Sequence, residues 1–475
     1  MYDLKAVPAD RMRARRSSVS MACAVLAICC SCATIEPGRL RRLAVKTLPA
    51  KLERGMTYVL SEGLHPAPAS VPEGVTLEGE GLVVLVVPPG GAGIALEGGR
   101  LERLTVQGGA WGVVAKGKSA LSHVGFSGQT QGGVRVAGKG ATLVVRQAKF
   151  EAVGASATAI DVADGAQLHV DHASFRGSFR RAIEVRSATA SLTHLASLGA
   201  RELIHAIDST VSVDTVSASS GSGPALFAAG SSLRGQNVTV EGHSYGVMVA
   251  KGSTLDLKRV NVRRTLDAGL ACLNSKATLH GIDVTSPGVI AGLQMLECDV
   301  DMSDVVVRKA QSSAVVLRLG KARVAGLKVF GVAADDAATR FESGGDGLHI
   351  RGGSAEVIDL EVEGAAGSGA FVSASATVEL GALVCRRCAH GGLFAEKLSR
   401  VVAQRIEVEG SIALVSAFDK AKVTLVQVPP PSLGGPVWID CTTGASLEAS
   451  WSGAPPWNGF DSPCVQQTTG KTSVR

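Results

Sequence analysis

The stretch from Tyr245 to Asp267, "YGVMVAKGSTLDLKRVNVRRTLD", decides the fold, because near copies of it recur along the chain. Related segments begin at Trp111 ("WGVVAKGKSALSHVGFSGQTQ"), Thr158 ("TAIDVADGAQLHVDHASFRGSFR") and Ala268 ("AGLACLNSKATLHGIDVTSPGVI"). Each copy has alternating apolar residues, a short Gly/Ser/Lys turn and a second alternating segment. A repeat of roughly 23 residues lies in the range typical of solenoid proteins.

The alternation within each repeat indicates strands, because apolar residues recur at every second position between turn residues. No apolar stripe with helical spacing is long enough for the helices of a leucine-rich or ankyrin repeat. Aromatic residues make up only 4% of the chain, and glycine occurs 57 times. We therefore predict one long all-β solenoid of about 15 coils, with a continuous core of Val, Leu, Ile and Ala.

The segment "VPEGVTLEGEG" (residues 71–81) resembles the first coils of right-handed parallel β-helix proteins of the pectin-lyase-like superfamily. The resemblance implies a right-handed parallel β-helix over residues 61–435, and it brings no catalytic residue with it. Residues 436–475 depart from the repeat and are expected to form a small C-terminal cap. The longer coil between Ala314 and Asp346 predicts a projecting loop.

The N-terminus has the features of a bacterial export signal. A basic segment from Arg11 to Arg16 precedes an apolar stretch that is too short to span a bilayer. This stretch ends in "CCSCA", which resembles a lipobox with Cys32 as the lipidated residue. The prediction is a lipoprotein signal peptide (1–31), a basic tether with a short amphipathic helix (32–60), and a lipid anchor at the outer membrane or cell surface of a Gram-negative bacterium. An ordinary cysteine-rich signal peptide is the alternative.

The remaining cysteines are consistent with an oxidising compartment. Cys441 and Cys464 flank the non-repetitive tail and are expected to form a disulfide, and Cys272 is expected to be a buried thiol. Cys385 and Cys388 form a CxxC motif without the His of a haem site or the βαβ context of a thioredoxin-like site.

Alignment of the repeats places four polar residues on successive coils, each between two inward-facing apolar residues. Because side chains alternate along a strand, these residues are expected to face solvent. They are Arg135, Asp161, Glu184 and His205, the candidate catalytic residues. Charges that pair across coils without a function are the alternative, and the same column continues as an apolar patch from Phe227.

Several functions find no support in the sequence. No zinc motif, EF-hand loop or phosphate-binding loop occurs, so we predict no metal and no cofactor. Five basic and two acidic residues precede Cys32, so their removal reduces the net charge from +6 to +3, and no basic stripe suggests nucleic acid.

Two functions remain. The first is a non-catalytic binding or structural protein of the cell envelope, with a polysaccharide or envelope protein as partner. The second is an enzyme that modifies an acidic polysaccharide: a lyase, hydrolase or epimerase.

Overall fold

The computed structural model describes residues 41–152, 156–334, 344–427, 435–450 and 464–467. Almost all of the regular structure in these ranges is β-strand, and a single-turn 3₁₀ helix spans Cys441–Thr443.

The strands of the N-terminal half are Arg41–Val45 (β1), Met56–Leu60 (β2), Gly63–Pro66 (β3), Ser70–Pro72 (β4), Thr76–Gly79 (β5), Val83–Val87 (β6), Ile94–Glu97 (β7), Arg100–Gly108 (β8), Trp111–Lys116 (β9), Lys118–Ser127 (β10), Gly132–Ala137 (β11), Thr142–Glu151 (β12), Thr158–Ala163 (β13), Gln167–Arg176 (β14), Arg181–Arg186 (β15), Thr189–Leu198 (β16), Glu202–Ile207 (β17), Thr210–Ser219 (β18), Leu226–Ala229 (β19) and Ser232–Glu241 (β20).

The strands of the C-terminal half are Tyr245–Ala250 (β21), Thr254–Arg263 (β22), Ala268–Leu273 (β23), Lys276–Thr285 (β24), Ala291–Leu296 (β25), Asp299–Ala310 (β26), Ser313–Arg318 (β27), Lys321–Val332 (β28), Leu348–Arg351 (β29), Ser354–Ala365 (β30), Ser368–Ser373 (β31), Thr377–Arg386 (β32), Gly391–Ala395 (β33), Arg400–Glu409 (β34), Val415–Ala417 (β35), Lys422–Gln427 (β36), Val437–Ile439 (β37), Ser446–Ala449 (β38) and Val465–Gln467 (β39).

These strands form two sheets in which every strand–strand pairing is parallel. Sheet A contains the long even-numbered strands from β8 onward together with β1, β2, β3, β5, β6 and β39, and sheet B contains the short strands β4, β7 and the odd-numbered β9 to β37. From β8 to β38, each coil contributes one strand to each sheet and pairs with the neighbouring coils. The chain is thus an all-β solenoid of about 17 turns, which confirms the predicted fold class.

A sharp bend divides each long strand of sheet A from β8 to β28. The residue at the bend has a positive φ in every one of these coils, for example 54° at His123 and 56° at Asn237. Asn, Asp, His and Gly tolerate this left-handed conformation better than other residues, although Thr215 and Arg259 also adopt it.

The core is a continuous stack of aliphatic side chains between the sheets. Inward residues such as Leu143, Val145, Ile160 and Val162 are fully buried. Small residues on sheet B leave room for a row of phenylalanines from sheet A, because a Cβ atom at Gly133 would lie 2.7 Å from the ring of Phe150.

Three sequence expectations differ from the structure. The predicted count of about 15 coils is too low, since the solenoid has about 17 turns. Within the predicted tether, Arg41–Val45 and Met56–Leu60 are paired strands of sheet A, and not a helix. Cys272 is not a free thiol, because it forms a disulfide with Cys298 on the next coil.

The solenoid extends beyond residue 435, where the sequence predicted that it ends. Sheet A and sheet B continue past residue 435 into the predicted cap, through β37 and β38. Residues 335–343, where the longer coil between Ala314 and Asp346 was expected to project as a loop, lie outside the described residues, as do the predicted signal peptide and Cys32. In the described part of the chain, no helix has the length and hydropathy needed to cross a membrane.

Candidate functional site

The register of sheet B brings the four predicted residues together on successive coils. Arg135 pairs with Asp161 (β11 and β13), Asp161 pairs with Glu184 (β15), and Glu184 pairs with His205 (β17). Their neighbours along each strand point into the core and are fully buried. The four side chains therefore form one column on the outer face of sheet B, about one strand spacing apart.

The two carboxylates of this column are covered, which differs from the expectation that they face solvent. Only 5% of Asp161 and 6% of Glu184 are exposed. They point away from the core, as alternation predicts, but long arginine side chains from neighbouring positions lie over them. Sequence alternation assigns the face of the sheet and gives no information about this second layer.

Asp161 is held by two arginines. Nη2 of Arg186 donates hydrogen bonds to both carboxylate oxygens of Asp161, at 2.9 and 3.1 Å. Nε of Arg135 lies 3.7 Å from the same carboxylate. The hydrogen bond to Asp161 raises the pKa of the Arg186 guanidinium. Arg186 therefore carries a full positive charge at neutral pH.

Glu184 is enclosed by more arginines. Arg181 Nη1 lies 2.5 Å from one carboxylate oxygen, and Arg180 Nη2 lies 3.1 Å from the other. Arg186 Nε approaches the first oxygen at 3.4 Å. Both carboxylates thus accept charge-assisted hydrogen bonds from the arginines around them.

His205 forms a pair with Glu202, at the start of the same strand. Glu202 Oε2 accepts a hydrogen bond of 2.6 Å from His205 Nδ1, which assigns the proton to Nδ1 and leaves Nε2 as the basic nitrogen. Burial alone would raise the pKa of Glu202, but the hydrogen bond from His205 and the nearby positive charges outweigh it. The pKa of this carboxyl is therefore lowered, and Glu202 is ionised at neutral pH.

We call the column and the side chains that contact it the charged surface. Its members are Arg135, Asp161, Arg180, Arg181, Glu184, Arg186, Arg201, Glu202 and His205. Five arginines face three carboxylates, so the surface carries a net charge of +2 when His205 is neutral. Four of the five arginine side chains are the exposed part, with 45% of Arg135 and 61% of Arg201 accessible, whereas Arg181 is only 20% exposed.

Sequence reasoning found the column but missed most of the arginines around it. Arg186 is two residues after Glu184, so alternation places it on the same outer face. Arg181 and Glu202 pair with each other on adjacent coils, three residues before Glu184 and His205. The spacing of Arg186 from Glu184 and the pairing of Arg181 with Glu202 can both be read from the aligned repeats, at positions next to the column.

Aromatic rings lie at both ends of the charged surface. The guanidinium of Arg135 lies 5.9 Å from the ring centroid of Trp111, and the His205 ring stacks on Phe227 at 4.8 Å. From Phe227 the column continues through Met248, Ala271 and Gln294 on the next coils.

The predicted disulfide, and one group of side chains that the sequence did not predict, lie outside the charged surface. Cys441 and Cys464 are linked by a disulfide next to β38. Among the described residues, the group of side chains with metal-ligand chemistry lies on sheet A, at Asp171, His172 and His194.

Comparison with known proteins gives structural neighbours only. No family model matches the chain, and no curated protein matches it. A PL6 alginate lyase in complex with a trisaccharide is 12% identical, with 86% of this chain and 88% of that chain covered and a TM-score of 0.32. The enzymatically active domain of bacteriophage CBA120 tailspike protein 2 is 11% identical, with 65% and 47% covered and a TM-score of 0.28.

The neighbours also include an epimerase. The A-module of a mannuronan C-5 epimerase from Azotobacter vinelandii is 11% identical, with 82% and 90% covered and a TM-score of 0.15. At this identity and TM-score the likeness carries no information about function, which has to come from the residues of the site.

Proposed function

We propose that the charged surface of sheet B binds an acidic polysaccharide. The observation that carries the proposal is the surplus of arginine: five guanidinium groups surround three covered carboxylates. The covered carboxylates hold the arginines in place, and the outer edges of the guanidinium groups remain accessible. Guanidinium groups bind carboxylate, sulfate or phosphate through paired hydrogen bonds.

A linear polymer suits this surface better than a small anion. The arginines are distributed over coils stacked at a spacing of about 4.8 Å, so a chain lying along the solenoid contacts several of them at once. Contacts that are individually weak in water add when they belong to one ligand. Trp111 and Phe227 mark the two ends of the surface and provide apolar faces there.

Catalysis on the bound glycan is the second candidate, and the Glu202–His205 pair is the observation that favours it. Lyases and epimerases of uronic acids begin with removal of the proton next to the sugar carboxylate. His205 Nε2 is a base of the required kind, because Glu202 holds the proton on Nδ1 and stabilises the imidazolium that forms. The neighbouring arginines would stabilise the negative charge that develops on the sugar carboxylate.

One pair of assays tests both candidates. The purified protein is titrated calorimetrically with a polyuronate and with a neutral glucan, and the same mixtures are assayed for unsaturated uronates, reducing ends and change of epimer. Polyuronate binding without product supports a binding protein. Product that disappears in His205→Gln supports an enzyme. Equal or absent binding of both glycans contradicts the proposal.

We propose further that the protein is exported and anchored at the outer membrane through a lipid on Cys32. The basic segment, the short apolar stretch and the "CCSCA" sequence support this placement. An acidic extracellular or periplasmic glycan would be accessible to the solenoid at this location.

A further inference from the structure

The bend of sheet A carries a second group of side chains with recognisable chemistry. Arg103, His123, Gln147, His172 and His194 occupy the bend on successive coils, as their strand neighbours show. Each has a positive φ, between 51° and 62°. The two adjacent histidines stack with their ring centroids 4.1 Å apart.

Asp171 brings the two histidines into one cluster. Its Oδ1 atom lies 2.8 Å from Nδ1 of His172 and 3.2 Å from Nδ1 of His194. The three ligand atoms all lie within 4.8 Å of one another. About half of each side chain is exposed, and the groove beside the histidines, about 620 Å³ in volume, is also lined by His123, Gln147 and Lys149.

We propose that Asp171, His172 and His194 bind a divalent transition-metal ion of the Zn²⁺ class. This site lies on sheet A and is separate from the charged surface on sheet B.

The donor set and its spacing support this assignment. Zinc takes imidazole nitrogen and carboxylate oxygen at about 2.0–2.2 Å in tetrahedral geometry, which places neighbouring ligand atoms about 3.3 Å apart. The separations of 2.8 and 3.2 Å between Asp171 Oδ1 and the Nδ1 atoms of His172 and His194 are close to that value. Two imidazoles and one carboxylate suit Zn²⁺, Cu²⁺ or Ni²⁺ better than Ca²⁺ or Mg²⁺, which prefer all-oxygen sites.

A neighbouring hydroxyl group fixes the orientation of the Asp171 carboxylate. Thr193 Oγ1 donates to Asp171 Oδ1 at 3.2 Å, which orients the carboxylate as outer-sphere partners of metal ligands do.

Binding requires a small rearrangement at the histidines. The two rings are nearly parallel, with an angle of 13° between their planes, so their Nδ1 lone pairs do not converge on one point. A turn of one ring about its Cβ–Cγ bond brings them together, and the exposed position of both side chains allows it. Water completes the coordination from the groove.

The test uses the tag-free protein, freed of metal by chelation. Calorimetric titration with Zn²⁺ is expected to show one saturable site, and Cu²⁺ bound there is expected to show two-nitrogen coupling in its electron paramagnetic resonance spectrum. His194→Ala and Asp171→Asn should each weaken Zn²⁺ binding on the order of 100-fold. Thermal unfolding should be unchanged in both variants, because the side chains are exposed.

His123→Ala is the matched control, because His123 has the same bend conformation two coils away and is not part of the cluster. It should bind Zn²⁺ as the unmodified protein does. Absence of saturable Zn²⁺ binding would overturn the proposal. So would His194→Ala and Asp171→Asn variants that bind as tightly as the unmodified protein.

Discussion

Single residues in the charged surface differ in how much they contribute to folding. Glu184 accepts hydrogen bonds from Arg180 and Arg181 and is almost fully covered. Replacing it with Gln removes the charge, which leaves Arg180 without its carboxylate partner and Arg181 with Glu202 as its remaining one. We expect Glu184→Gln to lower the free energy of unfolding by about 1.5–3 kcal/mol, the range for hydrogen bonds to charged groups.

The control for Glu184 is an exposed ion pair on sheet A. Arg308 contacts both oxygens of Asp283 at 2.7 Å, and both side chains are about 40% exposed. Asp283→Asn should cost less than about 1 kcal/mol. Chemical denaturation of both variants measures the difference, and equal losses would show that the covered position of Glu184 has no energetic effect.

The buried His243 predicts how stability depends on pH. Its side chain is fully buried between coils, and burial lowers its pKa below 6.5, with a hydrogen bond to the Gly223 carbonyl acting in the opposite direction. Below pH 6.5 the unfolded chain binds a proton at this residue that the folded chain does not. The stabilisation is therefore complete above pH 6.5 and decreases as the pH falls.

The measurement is the free energy of unfolding between pH 7 and pH 5, for the unmodified protein and for His243→Gln. The unmodified protein should lose stability more steeply as the pH decreases. Parallel curves for the two proteins would mean that His243 is protonated equally in the folded and unfolded states.

At the scale of elements, the packing of sheet A against sheet B depends on a phenylalanine stack. Phe150 lies between Phe126 and Phe175, with ring centroids 4.9 and 5.1 Å away. All three rings are buried. Phe150→Ala should reduce the free energy of unfolding by about 3–5 kcal/mol, as for large-to-small changes in other cores.

Leu64→Ala is the control for this substitution, because Leu64 is an apolar side chain that is mostly exposed. It should change the free energy of unfolding by less than about 0.5 kcal/mol. Similar losses at Phe150 and Leu64 would contradict a core that is closely packed at the stack.

The strands and the outer-face column were predictable because alternation depends only on neighbouring residues. Val134, Arg135 and Val136 are enough to place Arg135 outside. The metal-ligand cluster was not predictable from short-range spacing, because His172 and His194 are 22 positions apart and become neighbours only through coil stacking. The arginine layer over Asp161 was missed for a related reason. Arg186 contacts Asp161 from the next coil, so the contact can be predicted only when the pairing of neighbouring coils is known.

The number of coils was underestimated because the first coils are irregular. Strands β2 to β7 are three to five residues long, and Gly and Pro residues lie at their ends and between them. Short strands contain too few alternating residues to show the repeat. The parallel pairing of β1 with β2 was hidden within a segment whose basic composition suggested a tether.

At the scale of the whole molecule, the proposed export signal and lipid anchor at the N-terminus determine where we expect the solenoid to function. Cys32→Ala should release the protein from the membrane fraction and abolish its labelling with fatty acid, because one residue carries the anchor. Fractionation and acyl labelling in a Gram-negative host measure this. Unchanged labelling in the variant would move the lipid to Cys29 or Cys30, and a fully soluble unmodified protein would refute the anchor.

The central claim is that the exposed arginines of the charged surface bind an acidic polysaccharide. Arg135 and Arg201 have the longest ion-pair distances to carboxylates there, 3.7 and 3.9 Å, so they can be replaced with little effect on the pairs that hold Asp161 and Glu184. Arg146 is an exposed arginine on sheet A and provides the matched control for charge.

The most direct measurement is the affinity for a polyuronate at low and high salt, for the unmodified protein, the Arg135→Gln/Arg201→Gln double variant, and Arg146→Gln. We predict that the double variant binds about tenfold more weakly and depends less on salt, with unchanged thermal unfolding, while Arg146→Gln binds as the unmodified protein does. Equal affinities for all three proteins would contradict the account.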